Sequence, residues 1–438
     1  MLTAARRTTE LSLIVLGTLV TVGAYVLASL AQDSKIPGNI VPFLGVVLGL
    51  QLAAHLVIRR FAPHADGTLV PIAGLLNGIG YVFIVRLDQA SNQPQGLAGL
   101  QAGWAAVGML AFIGTLVVIR RVRDLERYRW TIGLVGIGLL LLPLMPVVGR
   151  TINGAKIWVG LGPISFQPGE FAKVLLALFF ASYLVEKREL LAVSRYRIGP
   201  VTLPDLKHLG PVLLAWGVSL VVMVSEKDLG SSLLFFALFV ALLWVATERA
   251  TYLLVGLVLF GLGATFSQAQ FSHVNERVQV WLDPWKDPKD SGFQIVESEF
   301  AFSAGGVTGT GIGLGSPTRI PYSETDFIYA AIGEELGLIG ATGILIAYLL
   351  MIGAGLRIAL RTQVPFERLL ATGLTVLLGV QSFIIIAGVT RVLPLTGVTL
   401  PFVSYGGSSL VANYVLLALL LRISDDSASR EETAGIAR

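Results

Sequence analysis

Residues 230–247 of this chain read GSSLLFFALFVALLWVAT, an apolar stretch without a charged side chain. An α-helix needs about 20 predominantly apolar residues to cross the hydrocarbon core of a bilayer. Inside lipid, every backbone N–H and C=O group must find a partner within the protein, and a helix supplies those partners within one segment. The stretch therefore predicts a transmembrane helix.

Eleven more stretches of this kind lie along the chain, so the predicted fold is an all-α polytopic integral membrane protein with about 12 transmembrane helices. Of the 438 residues, 54% are hydrophobic and only 14% are charged, whereas a soluble domain carries about 25% charged residues. Soluble enzymes, secreted scaffolds and disordered proteins are excluded. The twelve predicted spans are 11–31, 40–58, 68–86, 98–119, 131–148, 170–185, 210–225, 230–247, 252–268, 327–355, 367–390 and 404–422.

The residue types present narrow the range of functions further. The chain has no Cys, which excludes thiol catalysis, disulfides and thiolate metal sites, and its 4 His are too scattered for a zinc site. The net charge of +4 comes from basic residues in short loops beside the apolar spans. That pattern indicates membrane topology rather than a surface for nucleic acid.

The distribution of Lys and Arg predicts that both termini are cytoplasmic. Cytoplasmic loops are enriched in these residues, and alternate loops carry most of the 32 Lys and Arg when the N-terminus is placed inside. The end of the first span, Ser29-Leu30-Ala31, resembles a signal-peptidase site. The span is longer than the apolar core of a signal peptide, so we expect an uncleaved anchor.

The longest polar interruption is the predicted outer loop 269–326, which is rich in Gly, Pro and acidic residues. Loops of this length are usually functional or disordered, so this loop is the first place to look for a site. Alternating apolar residues over 293–300 could instead form a short helix on the membrane surface. At the end of the chain, the polar cytoplasmic tail 425–438 is predicted to be disordered.

Ionisable groups at the edge of hydrocarbon are costly and are candidates for function by default. Glu170 and Lys173 stand three residues apart at a helix start, so they can pair, either as a structural ion pair or as part of a site. Asp228 precedes a predicted helix and fits an N-cap and a site equally well. Glu334 and Glu335 have no adjacent base, and structural polarity inside the helix bundle is the favoured interpretation.

Two ligand-binding patterns are incomplete in the outer loop. Asp283, Asp287 and Asp290 lack the alternating spacing of a calcium loop. The glycine-rich run 309–315 follows no predicted strand of a βαβ unit. A flexible or tightly turned backbone is therefore favoured over a phosphate-binding loop.

Asp326 differs from these residues because it immediately precedes an apolar helix at the predicted membrane surface. The loop before it carries Arg277, Lys289 and Arg319, and such cations can hold a diphosphate through charge-assisted hydrogen bonds. A carboxylate beside them can act as a general base. A plain helix N-cap is the alternative that the spacing leaves open.

Six motifs occur in a distinctive order along the chain. They are NGAKIW (153–158), FQPGEFAK (166–173), DLGSS (228–232), TDFI (325–328), EELG (334–337), and LPLTG (393–397) with PFVSYGGSS (401–409). In this order they resemble the shape, elongation, division and sporulation (SEDS) family of bacterial peptidoglycan polymerases, typified by RodA and FtsW. The resemblance runs from about residue 68 to 424.

The resemblance implies a polymerase core of ten helices over 68–424, with a large outer loop between its seventh and eighth helices. Residues 1–67 would then form an N-terminal tail and two additional helices, and 425–438 a separate cytoplasmic tail. The family polymerises lipid II, the undecaprenyl-diphosphate-linked disaccharide pentapeptide. The resemblance therefore implies a glycosyltransferase.

The resemblance also implies roles for single residues. Asp326 corresponds to the essential loop aspartate of the family, and Glu170 and Lys173 correspond to a motif pair that helps to order the active site. The predicted substrate contacts are Arg277, Lys289, Asp228, Trp158, Ser404 and Ser408. No metal ligand is assigned, and a divalent cation such as Mg2+ is the one candidate cofactor.

Three positions depart from the family pattern. Ile157 stands where an arginine commonly precedes Trp158, Ile385 where an asparagine is often found, and Gly169 where serine or alanine is usual. These departures leave the finer roles of the three positions open. The two extra helices and the sequence GVTLP at 397–401 resemble an actinobacterial RodA more than an FtsW, which favours a role in elongation and cell shape over division.

The resemblance implies an inverting reaction that joins C1 of a donor sugar to O4 of an acceptor and releases undecaprenyl diphosphate. It implies a class B penicillin-binding protein as crosslinking partner, together with other cell-wall proteins, and a place in the bacterial cytoplasmic membrane with the active site facing outward. A lipid II flippase is the alternative, since a bundle of about 12 helices with buried charges also describes a transporter. A non-catalytic scaffold is a third class.

Orientation is directly testable because the chain has no native Cys. A cysteine introduced at Ser291, in the predicted outer loop, should react with an impermeant thiol reagent added from the outer side of the membrane. A cysteine introduced at Ser194, between the sixth and seventh predicted spans, should react with the reagent only after the membrane is permeabilised. The parental chain is the matched control, and the opposite labelling pattern would place the outer loop in the cytoplasm.

Overall fold

The computed structural model of the chain describes residues 2–35, 40–90, 96–146, 148–152, 155–161, 164–192, 194–198, 201–204, 217–218, 221–222, 226 and 228–436. Within these residues, 10 helices are long and apolar enough to cross a membrane. The predicted fold, a helical membrane protein with many spans, is confirmed.

The helices account for most of the described chain. They are α1 (Leu2–Asp33), α2 (Ile40–Phe61), α3 (Leu69–Ala90), α4 (Leu97–Val118), α5 (Arg129–Leu141), α6 (Pro168–Ala192), α7 (Leu229–Thr247), α8 (Thr251–Gln270), α9 (Ser272–Leu282), α10 (Phe293–Gly305), α11 (Ile328–Arg361), α12 (Pro365–Val389) and α13 (Gly407–Ile436). All except α5, α9 and α10 are candidate membrane spans. These ten spans coincide with ten of the twelve predicted ones.

The two remaining predicted spans have different outcomes. The span 131–148 is realised as the short helix α5, followed by a 3-10 turn over Leu142–Leu144. Pro143 has no backbone N–H and restricts the residue before it, so the α-helix ends early. The span 210–225 lies almost entirely outside the described residues.

Two small antiparallel sheets add to the predicted all-α architecture, outside the candidate spans. Their strands are β1 (Gly149–Ile152), β2 (Ala155–Leu161), β3 (Ile164–Phe166), β4 (Ser194–Ile198) and β5 (Val201–Pro204). The first sheet has the order β1-β2-β3, with Arg150 opposite Trp158. The second sheet is the pair β4-β5. The first sheet therefore carries one of the predicted substrate contacts, Trp158, on its central strand.

The predicted outer loop 269–326 is more regular than its composition suggests. Helix α10 confirms the predicted short helix over 293–300. Helix α9 was not predicted, and it begins after a single extended residue, Phe271, that separates it from α8. The 3-10 turns Pro284–Lys286 and Pro317–Arg319 occupy further parts of the loop.

The C-terminal tail is helical, so the prediction of disorder over 425–438 is wrong for residues up to Ile436. The start of this tail is anchored by buried polar contacts. The Asp425 carboxylate accepts a hydrogen bond from the His64 backbone N–H at 2.8 Å and pairs with Arg422 at 3.3 Å. Polar composition is typical of disorder only where the polar groups lack such partners.

The chain forms two compact units that are discontinuous in sequence. The first unit comprises Met1–Arg120, Val280–Ala354 and Ser382–Arg438, and the second comprises Arg121–Gln279 and Gly355–Gln381. These units divide the chain differently from the predicted linear domains. The predicted boundary between 1–67 and the polymerase core stays a prediction.

Helix α11 is interrupted at Gly337, where φ is 66° and ψ is −167°. A β-carbon at this position would lie 2.2 Å from the Gly309 nitrogen. Only glycine permits both this conformation and this close approach. The interruption frees backbone groups within a predicted membrane span and brings the glycine-rich run 309–315 against them.

Candidate functional site

Asp326 lies in the turn that leads into α11. The Ala330 and Ala331 N–H groups donate to the Phe327 carbonyl at 2.9 and 3.2 Å, so Phe327 occupies the N-cap position and Asp326 precedes it. The alternative of a plain N-cap is therefore weaker than the sequence suggests. Asp326 is half-buried, so it keeps access from outside the protein at the start of a candidate span.

The Ser-Tyr pair of the PFVSYGGSS motif holds this turn in place. The Ser404 hydroxyl donates to the Thr325 carbonyl at 2.6 Å and accepts from the Leu400 N–H at 2.9 Å. The Tyr405 N–H donates to the Glu324 carbonyl at 2.8 Å. The two residues before Asp326 are thus tied to the segment that follows α12, which limits where the carboxylate can lie.

Strained backbone occurs in this turn and in the segment that follows α12. Three non-glycine residues there have positive φ: Tyr322 at 60°, Arg391 at 59° and Phe402 at 65°. Such conformations cost about 1–3 kcal/mol each and are often found at functional sites. Their presence in the segments 320–327 and 390–406 supports these segments as the site.

Acidic side chains lie close to Tyr405. Burial raises the pKa of the Tyr405 phenol, and the carboxylates of Asp88 and Glu324 raise it further. Tyr405 therefore stays protonated at neutral pH and keeps its hydrogen-bond donor. Sequence reasoning did not identify Asp88, which is buried on α3, because the predicted span 68–86 ends two residues too early.

Arg391 connects the segment after α12 with the outer loop. Its guanidinium donates to the Trp281 and Leu282 carbonyls at 2.9 and 2.8 Å, and it pairs with Glu299 at 2.9 Å. The Trp281 ring N–H donates back to the Arg391 carbonyl at 3.2 Å. One side chain thus holds the end of α9 and a residue of α10. Sequence reasoning did not identify it, although only Val392 separates it from the LPLTG motif.

The predicted substrate contacts are divided between the two compact units. The first unit contains Lys289, which is exposed, and Ser404 and Ser408, which are buried. The second contains Arg277, half-buried on α9, and Trp158 on β2. Binding of a diphosphate-linked substrate by these residues stays a prediction.

In the second unit, Glu170 and Lys173 form the predicted ion pair, with 2.8 Å between Oε2 and Nζ. Both residues are almost fully buried, with exposures of 2% and 4%. Lys173 Nζ also donates to Gln381 Oε1 at 2.9 Å. The pairing is confirmed, and Gln381, which sequence reasoning did not identify, links α6 to α12.

Asp228 is the N-cap of α7. Its carboxylate accepts from the Ser231 N–H at 3.0 Å and from the Ser231 hydroxyl at 2.6 Å. The N-cap interpretation is confirmed, and the additional role of Asp228 as a substrate contact stays a prediction.

The described residues contain no group of three or more His, Asp and Glu side chains that could hold a metal ion. Mg2+ is commonly bound by one or two carboxylates together with substrate phosphates. A cation that arrives with a diphosphate needs no larger protein cage, so the divalent cation stays a prediction.

Comparisons with known proteins identify relatives of this chain. The FtsW, RodA and SpoVE family model, described as "Cell cycle protein", matches residues 67–429. The peptidoglycan glycosyltransferase RodA of Mycobacterium tuberculosis is 45% identical over 424 residues, which cover 96% of this chain and 90% of that protein. The probable peptidoglycan glycosyltransferase FtsW of Geobacter sulfurreducens is 36% identical over 316 residues, which cover 71% of this chain and 82% of that protein.

A solved structure shows the same fold. A chain from a study of how a peptidoglycan synthase complex coordinates polymerization and crosslinking has a TM-score of 0.66 and 30% identity, and the match covers 83% of this chain and 98% of that chain. The motifs, the fold and the extent of these matches agree. This chain belongs to the FtsW, RodA and SpoVE family, the SEDS family of membrane proteins.

Proposed function

We propose that this protein is a peptidoglycan glycosyltransferase that polymerises lipid II into β-1,4-linked glycan strands. The observation that carries the proposal is the turn that presents Asp326 at the start of α11 and is held by Ser404. It occurs in a chain that is 45% identical to M. tuberculosis RodA over 424 residues. The relatives support glycosyl transfer, and the turn supplies the carboxylate that this chemistry needs.

Asp326 is the proposed general base. A sugar hydroxyl is a poor nucleophile at neutral pH, so a carboxylate must take its proton as the acceptor O4 attacks C1 of the donor. The C1–O4 bond forms while the bond from C1 to the diphosphate oxygen breaks, and the electron pair leaves with undecaprenyl diphosphate. Direct displacement converts the α-linked donor into a β-linked product without a covalent enzyme intermediate.

Basic residues are proposed to stabilise the leaving group. Negative charge grows on the diphosphate as the bond breaks, and positive groups fixed nearby lower the energy of that state. Arg277 and Lys289 are the proposed contacts, with Trp158, Asp228 and Ser408 as further substrate contacts. The Ser404 hydroxyl is already engaged with Thr325 and Leu400, so we assign it to positioning instead.

The relatives also suggest a cellular role and a partner. The higher identity and coverage of RodA relative to FtsW favour elongation and cell shape over division. The solved relative comes from a study of a peptidoglycan synthase complex, and we expect this chain to act with a class B penicillin-binding protein that crosslinks the glycan. We place it in the bacterial cytoplasmic membrane with Asp326 on the outer side.

The first test replaces the proposed base. Asp326→Asn keeps the size of the side chain but cannot accept the proton, so polymerisation of lipid II by the purified protein in detergent should fall about 10²- to 10⁴-fold. Glycan product is measured on gels. Asp290→Asn removes an exposed carboxylate of the same loop and should keep the parental rate.

Two outcomes would contradict the proposal. An Asp326→Asn variant that polymerises at the parental rate would assign the base to another carboxylate. A parental protein that makes no polymer but moves lipid II across vesicle membranes would favour the flippase.

The second test separates structure from catalysis at Glu170 and Lys173. Either single change, Glu170→Gln or Lys173→Met, leaves an unpaired buried charge and should cost about 3–5 kcal/mol of stability. The double variant should recover the thermal stability measured in detergent. We expect its polymerisation rate to stay low, because the pair is proposed to shape the active site. A double variant at the parental rate would show that the pair serves packing alone.

A further inference from the structure

Helix α1 precedes the family match, which begins at residue 67, yet its end lies against the outer loop. We propose that the end of α1 acts together with Arg86 and Glu335 as a clamp that positions the loop leading to Asp326. Helix α1 is then a positioning element of the catalytic apparatus. This inference rests on the proposed function, since it concerns the placement of the proposed base.

The interruption of α11 at Gly337 creates the docking place for the loop. The carbonyls of Glu334 and Glu335, which lose their helical partners, accept from the Thr310 and Gly311 N–H groups, each at 3.0 Å. The Leu338 and Ile339 N–H groups on the other side donate to the Gly306 and Val307 carbonyls at 2.9 and 3.2 Å. Four backbone hydrogen bonds thus replace those that the helix gives up. The loop and the interrupted helix therefore form one unit.

Two buried carboxylates strengthen this docking. Glu335 Oε2 accepts from the Gly313 N–H at 2.8 Å, and Glu334 Oε1 accepts from the Ser316 N–H at 2.7 Å. Their exposures are only 1% and 7%. Hydrogen bonds to an ionised acceptor are about twice as strong as neutral ones. The acidic pair and the glycine-rich run, which the sequence presents as separate features, are therefore one structure.

Arg86, on α3, also binds this loop. Its guanidinium donates to the Gly313 and Gly315 carbonyls at 3.3 and 3.0 Å. Its Nε lies 3.3 Å from Glu335 Oε1, an ion pair without hydrogen-bond geometry. Glu335 thus binds the N–H of Gly313 while Arg86 binds its carbonyl. The charge of each side chain is offset by the other inside the protein.

The end of α1 lies against the same glycine. A β-carbon added to Gly313 would lie 2.9 Å from both the Ala28 carbonyl oxygen and the Ala31 β-carbon. The Gln32 side-chain amide is oriented with its oxygen toward Arg86 and its nitrogen toward Gln89. The oxygen then accepts from Arg86 Nη1 at 3.0 Å, and the nitrogen donates to Gln89 Oε1 at 3.2 Å. Helix α1 therefore packs against the loop and also orients the arginine that holds it.

A short connection leads from the clamped loop to the proposed base. Pro317 and Ile320, between the clamp and Asp326, are buried, so the connection is fixed to the protein at these two residues. The turn of Asp326 is held from its other side by Ser404. A displacement of the clamped loop is therefore transmitted toward Asp326, and a misplacement of about 1 Å can cost about 100-fold in rate.

Enlarging Ala31 tests the contact between α1 and the loop. Ala31→Leu should push Gly313 away and lower kcat per folded molecule for lipid II polymerisation about 10- to 100-fold, with little change in KM. Overpacking of the contact should also lower Tm in detergent. Leu30→Phe enlarges the adjacent side chain, which is 41% exposed, and should leave all three quantities unchanged. A purely structural α1 would lower Tm and leave kcat per folded molecule at the parental value, which would overturn the inference.

A double-mutant cycle tests the ion pair. Arg86→Met and Glu335→Gln should each lower Tm, because each leaves a buried charge unpaired. The double variant should recover Tm but stay about 10-fold or more below the parental kcat, since the carbonyls of the loop still lack Arg86. A parental kcat in the double variant would reduce the pair to structural polarity.

Thiol reactivity tests the contact without using activity. In this cysteine-free chain, Ala31→Cys, whose position lies against Gly313, should react with a thiol reagent more slowly than Leu30→Cys, whose position is 41% exposed. Adding Arg86→Met should release the loop and raise the reactivity of the Ala31→Cys thiol, and equal reactivity with and without Arg86 would overturn the clamp. A parental protein without polymerase activity would instead refute the proposed function. An active parent with an unimpaired Ala31→Leu variant would refute the clamp alone.

Discussion

Backbone groups that leave a regular helix inside a membrane need partners from the protein itself, because lipid offers none. This constraint explains the placement of two arginines against helix ends. Arg422 donates to the Phe61 and Ile119 carbonyls at 2.6 and 2.8 Å, and Arg391 likewise donates to two carbonyls at the end of α9. The two arginines thus bind backbone carbonyls where helices end and connecting segments begin. The turn of Asp326 is held in the same way by Ser404, so the site depends on the same constraint.

Features that depend on neighbours in sequence were predictable. Long apolar runs predicted ten of the spans, and a spacing of three residues predicted the pair of Glu170 and Lys173. Gln381, the third member of that cluster, could not be predicted, because nothing in a sequence indicates which residue some 200 positions away will meet Lys173. The same holds for Arg391, and for the helical tail, whose anchor Asp425 meets His64.

The relation between two correctly interpreted features could not be predicted. Glu334 and Glu335 indicate structural polarity, and the glycine-rich run 309–315 indicates a flexible or tightly turned backbone; the structure confirms structural partners for the pair and a tightly turned run. The interruption of α11 at Gly337 brings the two features into contact. It leaves backbone groups without helical partners, and only a segment of glycines can approach them closely enough to form hydrogen bonds. A run of glycines and an acidic pair in one sequence can therefore be two halves of one contact. The order of the motifs identified the family, but the contacts between these motifs could be recognised only from the folded structure.

Helix α13 has a practical consequence for imaging. It extends over 30 residues, Gly407–Ile436, which corresponds to about 45 Å at 1.5 Å per residue. Its polar turns continue the helix past the apolar segment and are fixed at Asp425. A soluble domain fused to α13 through an uninterrupted helix would have a fixed orientation relative to that helix. Such a fusion would serve as a fiducial for electron cryomicroscopy.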